Sequence, residues 1–250
     1  MEFKNNTYDR MEIENGILKK YHGCEAEVTI PDKVVRIGNN AFSGCKSLVN
    51  VIIPDNVIGI GYYAFKDCTG LTKITIPDNL ADICEGAFYN CNSLINITIP
   101  DGTVIGSYAF VRCDSLQFER YDNAYYLNNH LIKASSGDIA TINIRKGTKT
   151  ITDNAFSCCT NLKNITIPDG VKNIGGFAFG YCVSLKKLAI PCSVAEIKAG
   201  AFEGCPNLEE IYYEKEKSQW KELAVAVGKE HMGSKTVIHC NDGNLEFKFY

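Results

Sequence analysis

A 23-residue stretch, Leu71–Ser93 (L-T-K-I-T-I-P-D-N-L-A-D-I-C-E-G-A-F-Y-N-C-N-S), starts again at Leu94 and is copied with small changes along most of the 250-residue chain. Prolines recur in phase at Pro31, Pro54, Pro77 and Pro100, then at Pro168 and Pro191. An Ala-Phe pair recurs at Ala41-Phe42, Ala64-Phe65, Ala87-Phe88, Ala109-Phe110, Ala155-Phe156, Ala178-Phe179 and Ala201-Phe202. Leu48, Leu71, Leu94, Leu116, Leu162, Leu185 and Leu208 open the copies. A period in the twenties points to a solenoid, in which each unit buries its apolar face only against its neighbours.

Within one unit, Ile74 and Ile76 alternate around Thr75, the period-2 pattern of a half-buried strand. Pro77 cannot donate to a ladder, so it ends the strand, and Asp78-Asn79 turns the chain. Leu80 and Ile83 then point inward from a turn. Gly38, Gly61, Gly106 and Gly175 follow an inward residue and are expected to supply positive φ. Ala-Phe-x-x-Cys is predicted to form a short helical turn with Phe and Cys on one side.

Seven of the twelve cysteines, Cys45, Cys68, Cys91, Cys113, Cys159, Cys182 and Cys205, occupy one repeat position. Cysteine packs as a small buried hydrophobe, so a reduced ladder inside the core is the simplest reading. Rungs about 5 Å apart also lie within disulfide reach, so oxidation could cross-link some of them. There is no CxxC pair, and His22, His130, His231 and His239 do not recur with the cysteines. No zinc site, other metal or cofactor is expected.

Residues 1–25 read as an N-terminal hairpin cap turning at Glu14-Asn15-Gly16, and 26–213 as the solenoid. Over 117–138 the Ala-Phe, Cys and Pro signals vanish, yet Leu116 to Ile139 still spans 23 residues. This reads as a degenerate turn kept in register, bearing a projecting hairpin with a two-residue Asn128-Asn129 turn. Residues 214–250 read as a C-terminal helix-strand cap. Ser218 is the expected N-cap, Trp220, Leu223, Ala224 and Val227 the inner face, and Gly228 the C-cap, followed by strands at Lys235–Cys240 and Leu245–Tyr250.

The pattern L-x-x-I-x-I-P-x-x-V-x-x-I-G-x-x-A-F-x-x-C resembles the BspA-type leucine-rich repeats of bacterial surface proteins over residues 26–213. The Tyr-Tyr hairpin turn and the Tyr212-Tyr213-x(6)-Trp220 cap are similar to features of that family. The resemblance implies an α/β repeat solenoid: a right-handed leucine-rich-repeat coil, a parallel β-sheet on one face, short helical or irregular segments on the other, and caps at both ends. It also implies an adhesin or interaction module and supplies no catalytic residues.

A net charge of −3 gives no electrostatic case for nucleic acid or an anionic membrane surface. No apolar run approaches the roughly 18 residues of a bilayer span, and Met1–Arg10 lacks the apolar core of a signal peptide. As written, the chain is expected to be cytoplasmic, or at the cell surface or secreted if an export signal is missing; a monomer is favoured. The expected partner is another protein, or alternatively a glycan. It would sit on the columns between the inward isoleucines: Thr75, Thr98, Thr166 and Tyr212, beside Lys73, Asn96, Asn164 and Lys187. Threonine is equally what β-propensity places on any solvent-facing strand. Tyr125, Tyr126 and His130 of the hairpin offer a second aromatic patch, or else cover a turn lacking Phe and Cys. No acid, base and nucleophile recur in one place, so a non-enzymatic role is expected. His239-Cys240 is the one nucleophile–base pair, and strand neighbours face opposite sides.

Overall fold

The computed structural model describes residues 7–135, 139–223 and 236–246. They fall into two compact units, Met1–Gln117 and Phe118–Tyr250.

Unit 1 opens with β1 (Met11–Glu14) and β2 (Ile17–Tyr21), an antiparallel hairpin. Then follow β3 (Glu27–Thr29), β4 (Arg36–Ile37), β5 (Asn50–Ile52), β6 (Gly59–Ile60), β7 (Lys73–Thr75), β8 (Asp82–Ile83) and β9 (Val104–Ile105). Each turn of the coil therefore carries two short strands. The first strands stack as the parallel sheet β3-β5-β7, and the second strands stack beyond the hairpin as β1-β2-β4-β6-β8-β9. Between the two, each proline carbonyl accepts from the amide three residues on, as in Val57 N to Pro54 O (3.1 Å) and Leu80 N to Pro77 O (3.1 Å), which makes a tight turn.

Unit 2 follows the same plan. It comprises β10 (Glu119–Tyr121), β11 (Ala124–Leu127), β12 (His130–Ala134), β13 (Thr141–Asn143), β14 (Thr150–Ile151), β15 (Asn164–Thr166), β16 (Asn173–Ile174), β17 (Lys187–Ile190), β18 (Glu196–Ile197), β19 (Glu210–Tyr213), α1 (Lys217–Leu223), β20 (Val237–Cys240) and β21 (Gly243–Glu246). Its sheets run β10-β11-β12-β14-β16-β18 and β13-β15-β17-β19-β20-β21. The first turn of α1 is held by Gln219 Oε1, which accepts from Glu216 N (3.2 Å), and Asp242 Oδ1, which accepts from Lys217 N (2.8 Å). Ser218 lies inside the helix and is not its N-cap. Ala224, Val227, Gly228, Lys235 and residues 247–250 lie outside the described residues.

The third side of each turn is not a helix. The residue before each Ala-Phe pair is left-handed: Asn40, Tyr63, Gly86, Tyr108, Asn154, Phe177 and Gly200 have φ between 52° and 67°. So is the second residue after each Phe, at Gly44, Asp67, Asn90, Arg112, Cys158, Tyr181 and Gly204, with φ between 58° and 79°. Two such kinks per turn prevent any helix, and they aim amides along the stack. Thus Asn40 N, Phe42 N and Gly44 N donate to Tyr62 O (2.9 Å), Ala64 O (2.7 Å) and Lys66 O (2.7 Å) of the next turn. Among the described residues the helices are α1 and a single 3-10 turn, Thr7–Arg10.

Gly38, Gly61, Gly106 and Gly175 do not have positive φ, contrary to expectation. They are needed for close approach: a Cβ at Gly38 would lie 2.7 Å from Leu18 O, and one at Gly106 2.6 Å from Glu85 N. Cys84, Thr152 and Lys198 fill the same position in other turns, so the demand is local.

The core is a set of columns. Phe42, Phe65, Phe88 and Phe110 stack at 4.9, 5.3 and 5.5 Å with nearly parallel rings, and Phe156, Phe179 and Phe202 at 5.1 and 5.8 Å. Each buried ring contributes roughly 1.5–3 kcal/mol. The cysteine column has a polar reason as well. The thiols of Cys68, Cys91, Cys113, Cys182 and Cys205 donate to the carbonyls of Phe42, Phe65, Phe88, Phe156 and Phe179 one turn back, at 3.0–3.1 Å. All twelve cysteines are free. Burial pushes the thiols up, Cys68 and Cys113 to about 12 and Cys205 to about 11.

Candidate functional site

The faces of the β3-β5-β7 sheet and of the β13-to-β21 sheet are where non-core side chains gather, because strand alternation sends every second residue outward. In unit 1, parallel register aligns Asn50 with Lys73 and Ile52 with Thr75. Beyond β7 the pairing shrinks to one bridge, Lys73 to Asn96. There the face opens into a shallow groove of about 500 Å³ lined by Lys73, Thr75, Ile76, Ile95, Asn96 and Thr98. The structure thus brings Lys73, Thr75, Asn96 and Thr98 together, all exposed.

In unit 2 the outward columns are Asn143, Thr166, Ala189, Tyr212 and His239, beside Thr141, Asn164, Lys187 and Glu210. Asn164, Thr166, Lys187 and Tyr212 therefore share one face. Lys187 Nζ donates to Glu210 Oε2 (2.5 Å), which also accepts from Tyr212 Oη (2.9 Å). The Lys187 hydrogen bond holds the Glu210 carboxyl below its usual range, and the shared carboxylate raises Lys187 and Tyr212. The Tyr212 and His239 rings stack at 4.6 Å and 13°. The sequence offers His239 only as half of the His239-Cys240 pair and not as a partner-binding residue; alternation through K-T-V-I-H-C is the signal that would have turned it outward beside Tyr212. Cys240 packs against the core, so the two residues of the His239-Cys240 pair face opposite ways.

The hairpin residues are placed otherwise. Tyr126 and His130 are both 0% exposed, so neither contributes to a surface patch. Tyr125 is half-buried, with Lys133 Nζ 5.4 Å from its ring centre. The hairpin does not project, because β12 joins the parallel ladder, with His130 opposite Thr150 and Leu131 opposite Ile151. Strand alternation sends Tyr126 to the same inward side as Ala124, both 0% exposed, and Tyr125 to the other. Its hydroxyl accepts from Arg145 N (3.1 Å), and the Arg145 guanidinium lies 4.6 Å from its ring centre while bonding Glu119 and the Asn128 carbonyl. Asp122 Oδ2 accepts from Asn143 N (2.8 Å). Asp122 and Tyr126 thereby take up two amides at the start of the coil; their role is structural.

Among the described residues no three His, Cys, Asp or Glu side chains cluster as a metal site, and no helix is long and apolar enough to cross a membrane. Stacked turns with paired strand columns and an outward polar face define a repeat protein built as a solenoid. The BspA type leucine rich repeat region model matches six copies, over residues 12–137 and 133–226. The chain belongs to that family, whose members are commonly interaction or surface proteins.

Among solved structures, a leucine-rich repeat protein of T. pallidum is 31% identical, with a TM-score of 0.39, over 78% of this chain and 72% of that one. One from Bacteroides ovatus is 27% identical, TM-score 0.39, over 80% of this chain and 50% of that one. A leucine rich cell surface protein from Faecalibacterium prausnitzii is 24% identical, TM-score 0.36, over 85% and 94%. No curated protein matches.

Proposed function

We propose that the chain is a non-enzymatic interaction module that binds a partner protein through its outward sheet faces. Lys73, Thr75, Asn96 and Thr98 would make the contact in unit 1, and Asn164, Thr166, Lys187 and Tyr212 in unit 2. One observation carries the reading: the repeated Leu, Ile and Phe positions are buried, whereas the columns between them stand exposed on these faces. A shallow groove with an exposed Ile95 at its rim, 49% accessible, suits a protein surface better than a small substrate. The test is quantitative capture from host extract, comparing the wild-type chain with Thr75→Arg/Thr98→Arg and with Tyr62→Arg, an exposed change on another side. Loss of the same captured protein with the sheet-face variant alone is expected. Equal capture by all three sinks the proposal. A sugar ligand has an observation of its own, a notch at Ala189.

A further inference from the structure

The outward column of unit 2 contains one gap. Register places Thr166, Ala189, Tyr212 and His239 on consecutive strands β15, β17, β19 and β20. The Tyr212 and His239 rings are stacked nearly parallel on adjacent strands, so their flat faces look along the ladder. One face of Tyr212 is covered by His239. The other looks over Ala189, whose side chain ends at Cβ. Ala189 is exposed at mid-face, so neither Thr166 nor Tyr212 leans over it. Strands lie about 4.8 Å apart, so the Tyr212 ring and Thr166 are two rungs, roughly 9.6 Å, apart. The vacant rung between them is about as thick as one saturated six-membered ring.

From this geometry we propose that the notch over Ala189 is a subsite for one pyranose ring of a glycan. A pyranose presents C–H groups on its flat face and hydroxyls around its edge. The notch has the matching halves: an aromatic face and a methyl on the inside, and hydrogen-bonding groups at the rim. Lys187 and the ionised Glu210 carboxylate stand together at one side, tied by their 2.5 Å bond, and Thr166 offers its hydroxyl opposite Tyr212. His239 and the Glu210–Tyr212 hydrogen bond fix the Tyr212 ring, so little rotamer freedom is lost on binding. An aromatic side chain of a protein partner fits less well. Aromatic anchors prefer desolvated pockets, whereas this notch is exposed at Ala189 and flanked by Lys187, Glu210 and the Thr166 hydroxyl.

This inference rests on the sheet face being the binding surface and, for its unit 2 part, puts a glycan carried by the partner in place of the partner's polypeptide. The experiment is saturation-transfer NMR and calorimetry on the whole chain, with methyl glycosides of glucose, galactose, mannose and N-acetylglucosamine, and with N-acetyltyrosine amide as the rival probe. We expect at least one glycoside to bind at about millimolar strength. Ala189→Leu, which fills an exposed notch without touching the core, should weaken it about tenfold or more, as should Tyr212→Ala. His239→Phe, which preserves the stack, should leave binding within about twofold. Glycoside binding unchanged in Ala189→Leu, or no saturable glycoside signal, overturns the subsite. Binding of N-acetyltyrosine amide alone, lost in Ala189→Leu, overturns the sugar assignment and leaves the protein-binding sheet face standing. Loss of partner capture by Thr75→Arg/Thr98→Arg reports on that broader reading separately.

Discussion

Units 1 and 2 begin the same way although their sequences there look unrelated. Each holds near its start a hairpin (preceded in unit 2 by β10) whose second strand joins a parallel ladder: Leu18 opposite Ile37 in one, Leu131 opposite Ile151 in the other. Each turns on a left-handed asparagine, Asn15 at φ 50° and Asn128 at φ 52°, and each carries a register shift that leaves one extra residue in its second strand, Lys19 and Ile132. The last hairpin residue donates to the first Ala-Phe alanine, Tyr21 N to Ala41 O (2.9 Å) and Ala134 N to Ala155 O (2.7 Å). The difference is at the ring column. Tyr21 packs on Phe42 at 5.1 Å in unit 1, whereas Ala134 holds that place in unit 2, where Tyr126 fills the core from the neighbouring strand. The break in the repeat at 117–138 is thus a second beginning, where a hairpin replaces the turn that Ala-Phe and Cys would make.

If the two units are equivalent coils, alkali should loosen both alike. Unit 1 has Cys68, Cys91 and Cys113, and unit 2 has Cys182 and Cys205. Their folded pKa values lie above the ordinary thiol value, so folded cysteines stay protonated while unfolded ones ionise. Stability is therefore complete below the ordinary thiol value of 9.0 and falls as pH climbs from 9 toward 11–12. Cys45 in unit 1 and Cys159 and Cys240 in unit 2 are raised as well, so each unit holds four such thiols and both should lose stability at similar rates, at most about 1.4 kcal/mol per pH unit for each thiol. Urea titrations between pH 8 and 10.5, read by pulse proteolysis with unit-specific peptides, compare the slopes. Stability that stays flat above pH 9 in either unit would break the account of the cysteine columns.

Tyr126→Ala removes a fully buried ring and the acceptor for Arg145 N, and should cost about 3–5 kcal/mol. The only tryptophan, Trp220, lies in unit 2, so its fluorescence in urea should report the loss, while Leu18→Ala in unit 1 leaves that transition in place. A shift of the Trp220 transition by Leu18→Ala would join what the comparison separates. Cys91→Ala and Cys182→Ala each remove a thiol donor and a small volume, and should each cost about 1–2 kcal/mol by urea midpoint. The smallest effect is a gain. Tyr108→Gly frees a bulky residue from φ 58° and should add about 0.5–1 kcal/mol, whereas Asn154→Gly in unit 2 should change little, since asparagine tolerates that region.

The strand columns and ring columns were legible because Leu, Ile, Phe and Pro recur in phase, and periodicity reports which side chains are buried. What it could not report is backbone conformation. The second strands, such as Gly59–Ile60, are two residues long, too short for an alternation to register. The left-handed positions are held by Tyr63, Tyr108, Arg112, Phe177 and Tyr181 as well as by glycine, so composition hides them. The thiol bonds to Phe carbonyls arise only once turns are stacked. Within the candidate site, Thr75, Thr166 and Tyr212 were placed by simple alternation, whereas Tyr126 was misplaced because Tyr125 and Tyr126 were grouped as one patch although neighbours on a strand face opposite sides.

On the Ala-Phe side of unit 1, nine interturn amides, from Asn40, Phe42 and Gly44 through Gly86, Phe88 and Asn90, all point toward the C-terminal end. Peptide dipoles of about 3.5 D that share a direction add rather than cancel, as they do in a helix. That side of the coil is electrically polar along its length. Each further turn inserted into such an array would lengthen the column, so the number of repeats sets a field as well as a length.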